Sequence, residues 1–330
     1  MNNFKGRHLT RSVAMAATMT FVATPAAFAE SAYPERPITM VVPYAPGGGT
    51  DVVARLVAKK MGEELGGTIV VDNRPGAGGA VGTGAVAKAA ADGYTILMGT
   101  ASTHAINPAL HKNLPYEPRQ DFDPVALLVT VPQVVVINAK LPYQTLAELI
   151  EGMREAKGGM TYGSQGIGGI AHLVGEMVNR QAGVESTHVP YKGAAPALQD
   201  LVGGNIDIVY DTLPALLPYI QSGGIRALAV ADDKPLAQLP EVPTTAAAGM
   251  PELKAATWNA LFAPKGTPQI AIDRLSQAAA KALQDPELIS RLEAMSAQPA
   301  ASTPAELAAF NEAEAKKWQG IIEASGISIE

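Results

Sequence analysis

Cysteine is absent from all 330 residues. That excludes disulfide staples, thiolate metal sites, a thiol nucleophile and a lipid-bearing cysteine at a processed N-terminus. Aromatic residues make up only 5% of the chain, and Lys and Arg (25) are outnumbered by Asp and Glu (31) without forming a basic run, so the electrostatic footprint of a nucleic-acid binder is missing. No apolar stretch reaches the roughly 20 residues of a membrane-spanning helix. The stretch that comes nearest, Ser12–Ala23, follows Lys5, Arg7 and Arg11 and precedes Ala27-Phe28-Ala29, the order of an export signal and its small-residue cleavage site. Cleavage after Ala29 is expected, and it removes those three cations and moves the formal charge from −6 to −9.

Glycine, by contrast, is plentiful, with 32 residues. Two glycine-rich turns stand out: Pro43–Asp51 (PYAPGGGTD) and Tyr162–Gly169 (YGSQGIGG). Each follows a strand-like run and opens a helix-like run. At such a turn several backbone N–H groups lack intrahelical partners, the helix dipole adds partial positive charge, and glycine allows close approach. Both turns are therefore suited to receive a carboxylate or phosphate. In the first, Thr50 is expected to cap the helix and offer a hydroxyl, and Asp51 lies where a carboxylate suits the dipole.

Periodicity predicts strands at Ile38–Val42, Thr68–Asp72 and Tyr94–Gly99, alternating with helices at Thr50–Leu65 and Gly79–Ala91. The alternation resumes with strands at Val134–Asn138, Met160–Tyr162, Ser186–Pro190, Ile206–Tyr210 and Ile225–Ala231 and helices at Thr145–Lys157, Ile167–Gln181 and Ala194–Val202. Such alternation means crossover units and mostly parallel sheets flanked by helices. From Thr267 onward the chain reads as helical, with Ile272, Leu275, Ala279 and Ala282 on one face. A helical tail makes no third sheet, so it is expected to pack back on the first lobe. The expected organisation is a leader at 1–29, a discontinuous first lobe at 30–130 and 256–330, and a second lobe at 131–255. Capping boxes are expected at Thr145/Glu148 and Thr303/Glu306, with proline at the first helical position at Pro268 and Pro304.

Other chemistries fit less well. Gly166–Ala171 and Gly82–Ala87 both match a relaxed dinucleotide pattern. The first is followed by the strand Ser186–Pro190 with no acidic residue at its end, and the second lies inside a predicted helix. A serine hydrolase would have to assemble Ser164 with His172 or His188 and Asp211, without a G-x-S-x-G elbow and with no histidine after Asp211. His172 and Glu176, four apart on a helix, suggest no third metal ligand. Neither a metal nor a cofactor is expected. Ser102 leaves the third strand in a hydroxyl-rich segment near the first turn, while Tyr191-Lys192 and Asp211-Thr212 follow strands of the second lobe and are expected to face the cleft. Lys192 is positioned to meet a second carboxylate as a point charge.

Together, Tyr33-Pro34 with Arg36-Pro37, PYAPGGGTD, Val71–Gly79 (VDNRPGAGG), Asp92–Thr95, Tyr162–Gly169 with Ala171-His172-Leu173, Val189–Gly193, Gly203–Asp207 and Arg226–Val230 resemble the tripartite tricarboxylate transporter receptors, the Bug family of Gram-negative bacteria. The resemblance covers essentially the whole chain after the leader. It implies a two-lobed α/β periplasmic binding protein, type II-like, with a cleft between the lobes. Such a receptor closes over a small carboxylate, works as a monomer without chemistry, and delivers its ligand to membrane permease subunits. It further implies that one ligand carboxylate is held by Gly48, Gly49 and Thr50 from the first lobe and Ser164, Gly166, Ile167 and Gly168 from the second, with Ser102 nearby. Tyr44, Tyr191, Lys192 and Asp211 are candidates for reading the rest of the ligand. A secreted enzyme acting on a small carboxylate, and a receptor presenting its closed form to a membrane sensor, remain open alternatives.

Overall fold

A computed structural model of the chain describes residues 1–3, 33–156 and 159–325. The expected export signal and its cleavage site lie outside the described residues. The chain divides into Met1–Ala32 and Tyr33–Glu330, and the fold is that of the second unit. No helix among the described residues is long and apolar enough to cross a membrane.

The elements in chain order are β1 (Ile38–Val42), α1 (Gly49–Leu65), β2 (Ile69–Asn73), α2 (Ala80–Ala87), β3 (Thr95–Thr100), α3 (Asn107–Leu110), β4 (Phe122–Asn138), α4 (Leu146–Glu155), β5 (Met160–Ser164), α5 (Ile170–Ala182), β6 (Ser186–Pro190) and α6 (Ala194–Gly203). There follow β7 (Ile208–Thr212), α7 (Leu213–Gln221), β8 (Ile225–Val230), β9 (Ala256–Pro264), α8 (Gln269–Ala282), α9 (Pro286–Glu293), β10 (Gln298–Pro299) and α10 (Pro304–Ser325). A 3-10 turn at Ala77–Gly79 precedes α2, and a π-helical turn at Ser102–Ile106 precedes α3.

The first lobe grows from β1, whose residues point alternately to two cores. Ile38, Met40 and Val42 pack with Val53, Val57 and Met61 of α1 and with Ile272 and Leu275 of α8, while Val41 faces the opposite side. Each large apolar side chain so buried contributes about 1.5–3 kcal/mol. The spacing of Val53, Val57 and Met61 makes this a single buried stripe on α1. The helix stops at Gly66, in the left-handed region at φ 67, where Gly67 donates its N–H to Gly62 O at 3.0 Å. β2, β1 and β3 run parallel, as the crossovers α1 and α2 require.

Beyond β3 the sheet turns antiparallel, which departs from the expected mostly parallel lobes. β9 pairs antiparallel with β3 and with β4, and the full order is β2-β1-β3-β9-β4-β7-β5-β6. The reason is that β4 serves both lobes. Its residues from Phe122 to Pro132 pair with β9, and those from Gln133 onward pair with β7 and β8. The second lobe repeats the parallel motif in β7, β5 and β6, with Val134 and Val136 facing Leu198, Leu201 and Leu216.

The tail after Thr267 is not continuous helix. β10 adds two residues to the edge of β4, and α10 then lays Trp318 into the core beside Trp258. Both indole N–H groups donate to Glu314 Oε2, each at 3.2 Å. The box at Thr303 forms in both directions: Thr303 N donates to Glu306 Oε2 at 2.8 Å and Glu306 N to Thr303 Oγ1 at 3.2 Å. At Thr145 the hydroxyl caps Glu148 N, but the Glu148 carboxylate accepts from Gln144 N instead. Pro304 opens α10 as expected, whereas Pro268 takes the cap position and Gln269 begins α8.

Candidate functional site

The first glycine turn connects β1 to α1. Gly47 sits at φ 85, which favours glycine, and its N–H donates to Asp51 Oδ2 at 2.9 Å. Gly48 is the extended cap residue of α1, with no side-chain cap, and the first helical bond runs from Val52 N to Gly48 O. The N–H groups of Gly49, Thr50 and Asp51 therefore precede the helical ladder. Thr50 does not cap the helix; its hydroxyl accepts from Asn259 Nδ2 at 3.4 Å. The Asp51 carboxylate is used inside the lobe. Burial alone would raise its pKa, but donors from Arg55, Gly47 and Asn73 hold it below the usual carboxylate range.

Gly48, Gly49 and Thr50, though not Asp51, line a small cavity of about 30 Å³, within about 420 Å³ of atom-free space. Of the expected residues, Tyr44, Gly48, Gly49, Thr50, Ser102 and Asp211 lie on its wall. Tyr44 is buried and its hydroxyl hydrogen bonds Thr100 Oγ1 at 2.9 Å. Asp211, at the end of β7, is 3% exposed and accepts from Thr212 N and Gln165 Nε2, both at 2.7 Å. Burial pushes its pKa up to about 6 against the pull of those donors.

Ser164, Gly166, Ile167, Gly168, Tyr191 and Lys192 do not line the cavity. In the second turn, Gly166 N donates to Ser164 Oγ at 3.1 Å and Gly168 N to His172 Nδ1 at 3.2 Å, so these two N–H groups are engaged within their own lobe. The Ile167 side chain is 43% exposed. Tyr191 donates its hydroxyl to Asp200 at 2.7 Å, and the Lys192 side chain is exposed. What the second lobe brings to the cavity is Gln133, Gln165, Ile170, Ala194 and Thr212 beside Asp211.

The two lobes meet around the cavity. Ile170 N, at the start of α5, donates to Ser102 Oγ at 3.0 Å, and Ala45 N donates to Lys192 O at 3.3 Å. A methyl group on Gly78 would sit 2.5 Å from Ile167 O, and one on Gly166 would sit 2.7 Å from Gly78 N. Glycine at both positions lets the opposed backbones touch.

Gln133 was not legible as a site residue. It is 1% exposed, lies on the cavity wall, and its Oε1 has no hydrogen-bond partner among the described residues. A lone amide inside the apolar run Val131–Ile137 was the available signal. Its backbone is fixed where β4 changes partners, since Gln133 N donates to Ala255 O at 2.9 Å and Ala231 N donates to Gln133 O at 2.8 Å.

The alternative chemistries have definite placements. Ser164 Oγ lies 2.6 Å from His188 Nε2, but the Asp211 carboxylate is engaged with Gln165 and Thr212 rather than with a histidine. His188 stacks on His172 with ring centroids 4.0 Å apart, and burial followed by the His172 charge lowers its pKa to about 4. His172 Nε2 and Glu176 Oε1 are 4.0 Å apart, and no group of three or more candidate metal ligands occurs among the described residues. Gly82–Ala87 falls inside α2.

A two-lobed α/β architecture with anion-receptive N–H groups at the lobe junction defines a solute-binding protein. The chain belongs to the tripartite tricarboxylate transporter family receptors, whose family model matches residues 53–327. It is 39% identical over 298 residues to protein BugT of Bordetella pertussis, covering 90% of this chain and 91% of BugT. Among solved structures it is similar to the periplasmic binding protein BugD (37% identity, TM-score 0.87, 90% of this chain and 99% of that one). The R. palustris protein Rpa4515 with adipate is as similar, at 37% identity and TM-score 0.87, over 90% of this chain and 99% of that one.

Proposed function

We propose that this chain is an exported periplasmic receptor that captures a small carboxylate by lobe closure, leaves it chemically unchanged, and presents it to the permease subunits of a tripartite transporter. The observation that carries this reading is the cavity roofed by the uncapped N-terminus of α1 and closed across the lobes by Ser102 and Ile170 N. The N–H groups of Gly49 and Thr50 hold the carboxylate, with the hydroxyls of Thr50 and Tyr44 beside them. In the open state these groups are solvated, and a ligand that touches both lobes stabilises the closed state by its differential affinity for it.

The lobes divide as the sequence suggests, at 30–130 with 256–330 and at 131–255, so that β4 at Pro132-Gln133 and the approach to β9 act as the hinge strands. Family membership, the adipate complex of a relative 37% identical and the leader-like N-terminus support this reading. Among the described residues the Ser164–His188 pair has no carboxylate partner, and Ser164 and His188 lie off the cavity wall, which disfavours the enzyme alternative.

A thermal-shift screen of residues 30–330, refolded to strip carried-over ligand, tests the proposal against mono-, di- and tricarboxylates, amino acids and nucleotides. A ligand at 100 times its dissociation constant adds about 2.7 kcal/mol, worth ~5 °C in a chain of this size. A selective carboxylate shift with the ligand recovered unchanged is the expected result. A response confined to nucleotides, or consumption of the bound compound, overturns it.

A further inference from the structure

The cavity wall carries an acid and no cation. Of the side chains that line it, only Tyr44 and Asp211 ionise, and no Lys, Arg or His is among them. Bringing a ligand carboxylate to the N-terminus of α1 therefore places it beside a second, buried carboxylate. The two sites are close: a methyl group on Gly49 would overlap Thr212 Oγ1, the residue after Asp211. Two like charges in so small and dry a space repel strongly unless a positive group lies between them.

Next to Asp211 stands a further acceptor. Gln133 is directly opposite Thr212 in the antiparallel ladder, so their side chains share a face. Gln133 Oε1 is buried without a donor, a costly state that a ligand N–H would relieve. Asp211, Gln133 Oε1 and Thr212 Oγ1 thus form a cluster of acceptors on the wall of the same cavity that Gly49 and Thr50 line. The strand-to-strand bonds of Gln133 with Ala255 and Ala231 hold it there in advance.

From this bipolar arrangement we infer that Asp211 and Gln133 are specificity-determining residues that bind a cationic amino group, so that the ligand is a zwitterionic amino acid rather than a simple di- or tricarboxylate. Its carboxylate takes the α1 end and its ammonium the Asp211 end. The inference rests on the receptor reading and narrows its substrate class.

The test pairs amino acids with the acids that carry hydrogen in place of the amino group: alanine with propionate, aspartate with succinate, glutamate with glutarate, phenylalanine with 3-phenylpropionate. Dissociation constants are measured by calorimetry on the refolded protein and on Asp211→Asn and Gln133→Met. At least one amino acid is expected to bind tenfold or more tighter than its partner acid. Asp211→Asn is expected to cut that ratio by about 10- to 100-fold, and Gln133→Met by about tenfold, the usual range for losing one hydrogen bond to a charged group. If the partner acids bind as tightly as the amino acids in the unaltered protein, or if the ratio survives Asp211→Asn, the inference is wrong while the receptor reading stands. If no carboxylate of either kind binds, both are wrong. Should Asp211→Asn fail to fold, Gln133→Met decides alone, because an unchanged ratio in that variant removes Gln133 from the site.

Discussion

Asp211→Asn should make the protein more stable at neutral pH, and the size of the gain follows from burial. Asp211 is 3% exposed, and its pKa is raised from 3.8 to about 6 chiefly by loss of solvation. Because the folded-state pKa lies above the unfolded one, the folded state holds the proton more tightly between those values. Below about pH 3.8 the group is neutral in both states and costs nothing through ionisation. As pH rises from 3.8 to 6 stability is lost, and above pH 6 the full cost remains. At 1.36 kcal/mol per pKa unit that cost is about 3 kcal/mol. Asparagine keeps an oxygen for Thr212 N and carries no charge, so a net gain of about 2–3 kcal/mol is expected at pH 7, with almost none at pH 3.5.

For a chain of this length that gain corresponds to ~4–6 °C in melting temperature. Melting curves of both proteins from pH 3.5 to 7.5, without ligand, provide the assay. The difference between the two proteins must be read, not the wild-type curve, since His188 acts oppositely. Its pKa is lowered from 6.5 to about 4, so acidification from 6.5 to 4 protonates the unfolded state first and destabilises the fold. That contribution is common to both proteins and cancels in the difference. Equal or lower stability of Asp211→Asn at pH 7, or a gain that is the same at pH 3.5, would refute the reasoning.

Three further perturbations probe the closure and the frame. Gly49→Ala places a methyl group on Thr212 Oγ1 at a position with ordinary helical backbone. It is expected to weaken ligand binding at least tenfold by calorimetry, and adding Thr212→Ala should recover part of that loss; no recovery would show that the two residues do not meet in the closed state. Ser102→Ala removes the hydroxyl that receives Ile170 N across the lobes, which costs about 1 kcal/mol. A roughly fivefold rise in dissociation constant with an unchanged ligand-free melting temperature is the expected signature, and a fall in melting temperature without loss of affinity contradicts it. Trp318→Ala empties a fully buried site and leaves Glu314 with one indole donor fewer, so a loss of about 3–5 kcal/mol in chemical denaturation is expected. A loss under 1 kcal/mol would mean that α10 is not an integral part of the first lobe.

Much of this frame was legible before the structure. The parallel units β2-β1-β3 and β7-β5-β6 follow from strands and helices that alternate at regular spacing, and glycine punctuation marks where α1 and α5 begin. The first half of β4 was missed because Asp123-Pro124 and Pro132 interrupt an otherwise apolar run, and proline argues against a central strand. Here those residues lie at register shifts or at the change of partner strand. Likewise α7 escaped because Pro214 and Pro218 disguise a short helix. The first turn lines the cavity, and its three glycines before a helix start are a local signal that a sequence carries. In the second turn Ser164 and His172 take up the N–H groups of Gly166 and Gly168, and the glycine pattern by itself does not report that these neighbouring side chains turn back onto the loop.

Gln133 and Asp211 mark the boundary of what periodicity can find. Both lie in strands that bury almost everything, and a polar residue there reads as a packing exception until the partner strand is known. Only the β4–β7 ladder, with Gln133 opposite Thr212, brings an unpartnered amide and a destabilising carboxylate to one wall. An apolar core with that register would be more stable without either group. Their position beside the N-terminus of α1 supplies a reason for the cost: the same desolvation that raises the Asp211 pKa strengthens its attraction to a ligand cation once the lobes close. A variant that melts higher and binds amino acids more weakly than the parent would exhibit that exchange of stability for selectivity in one molecule.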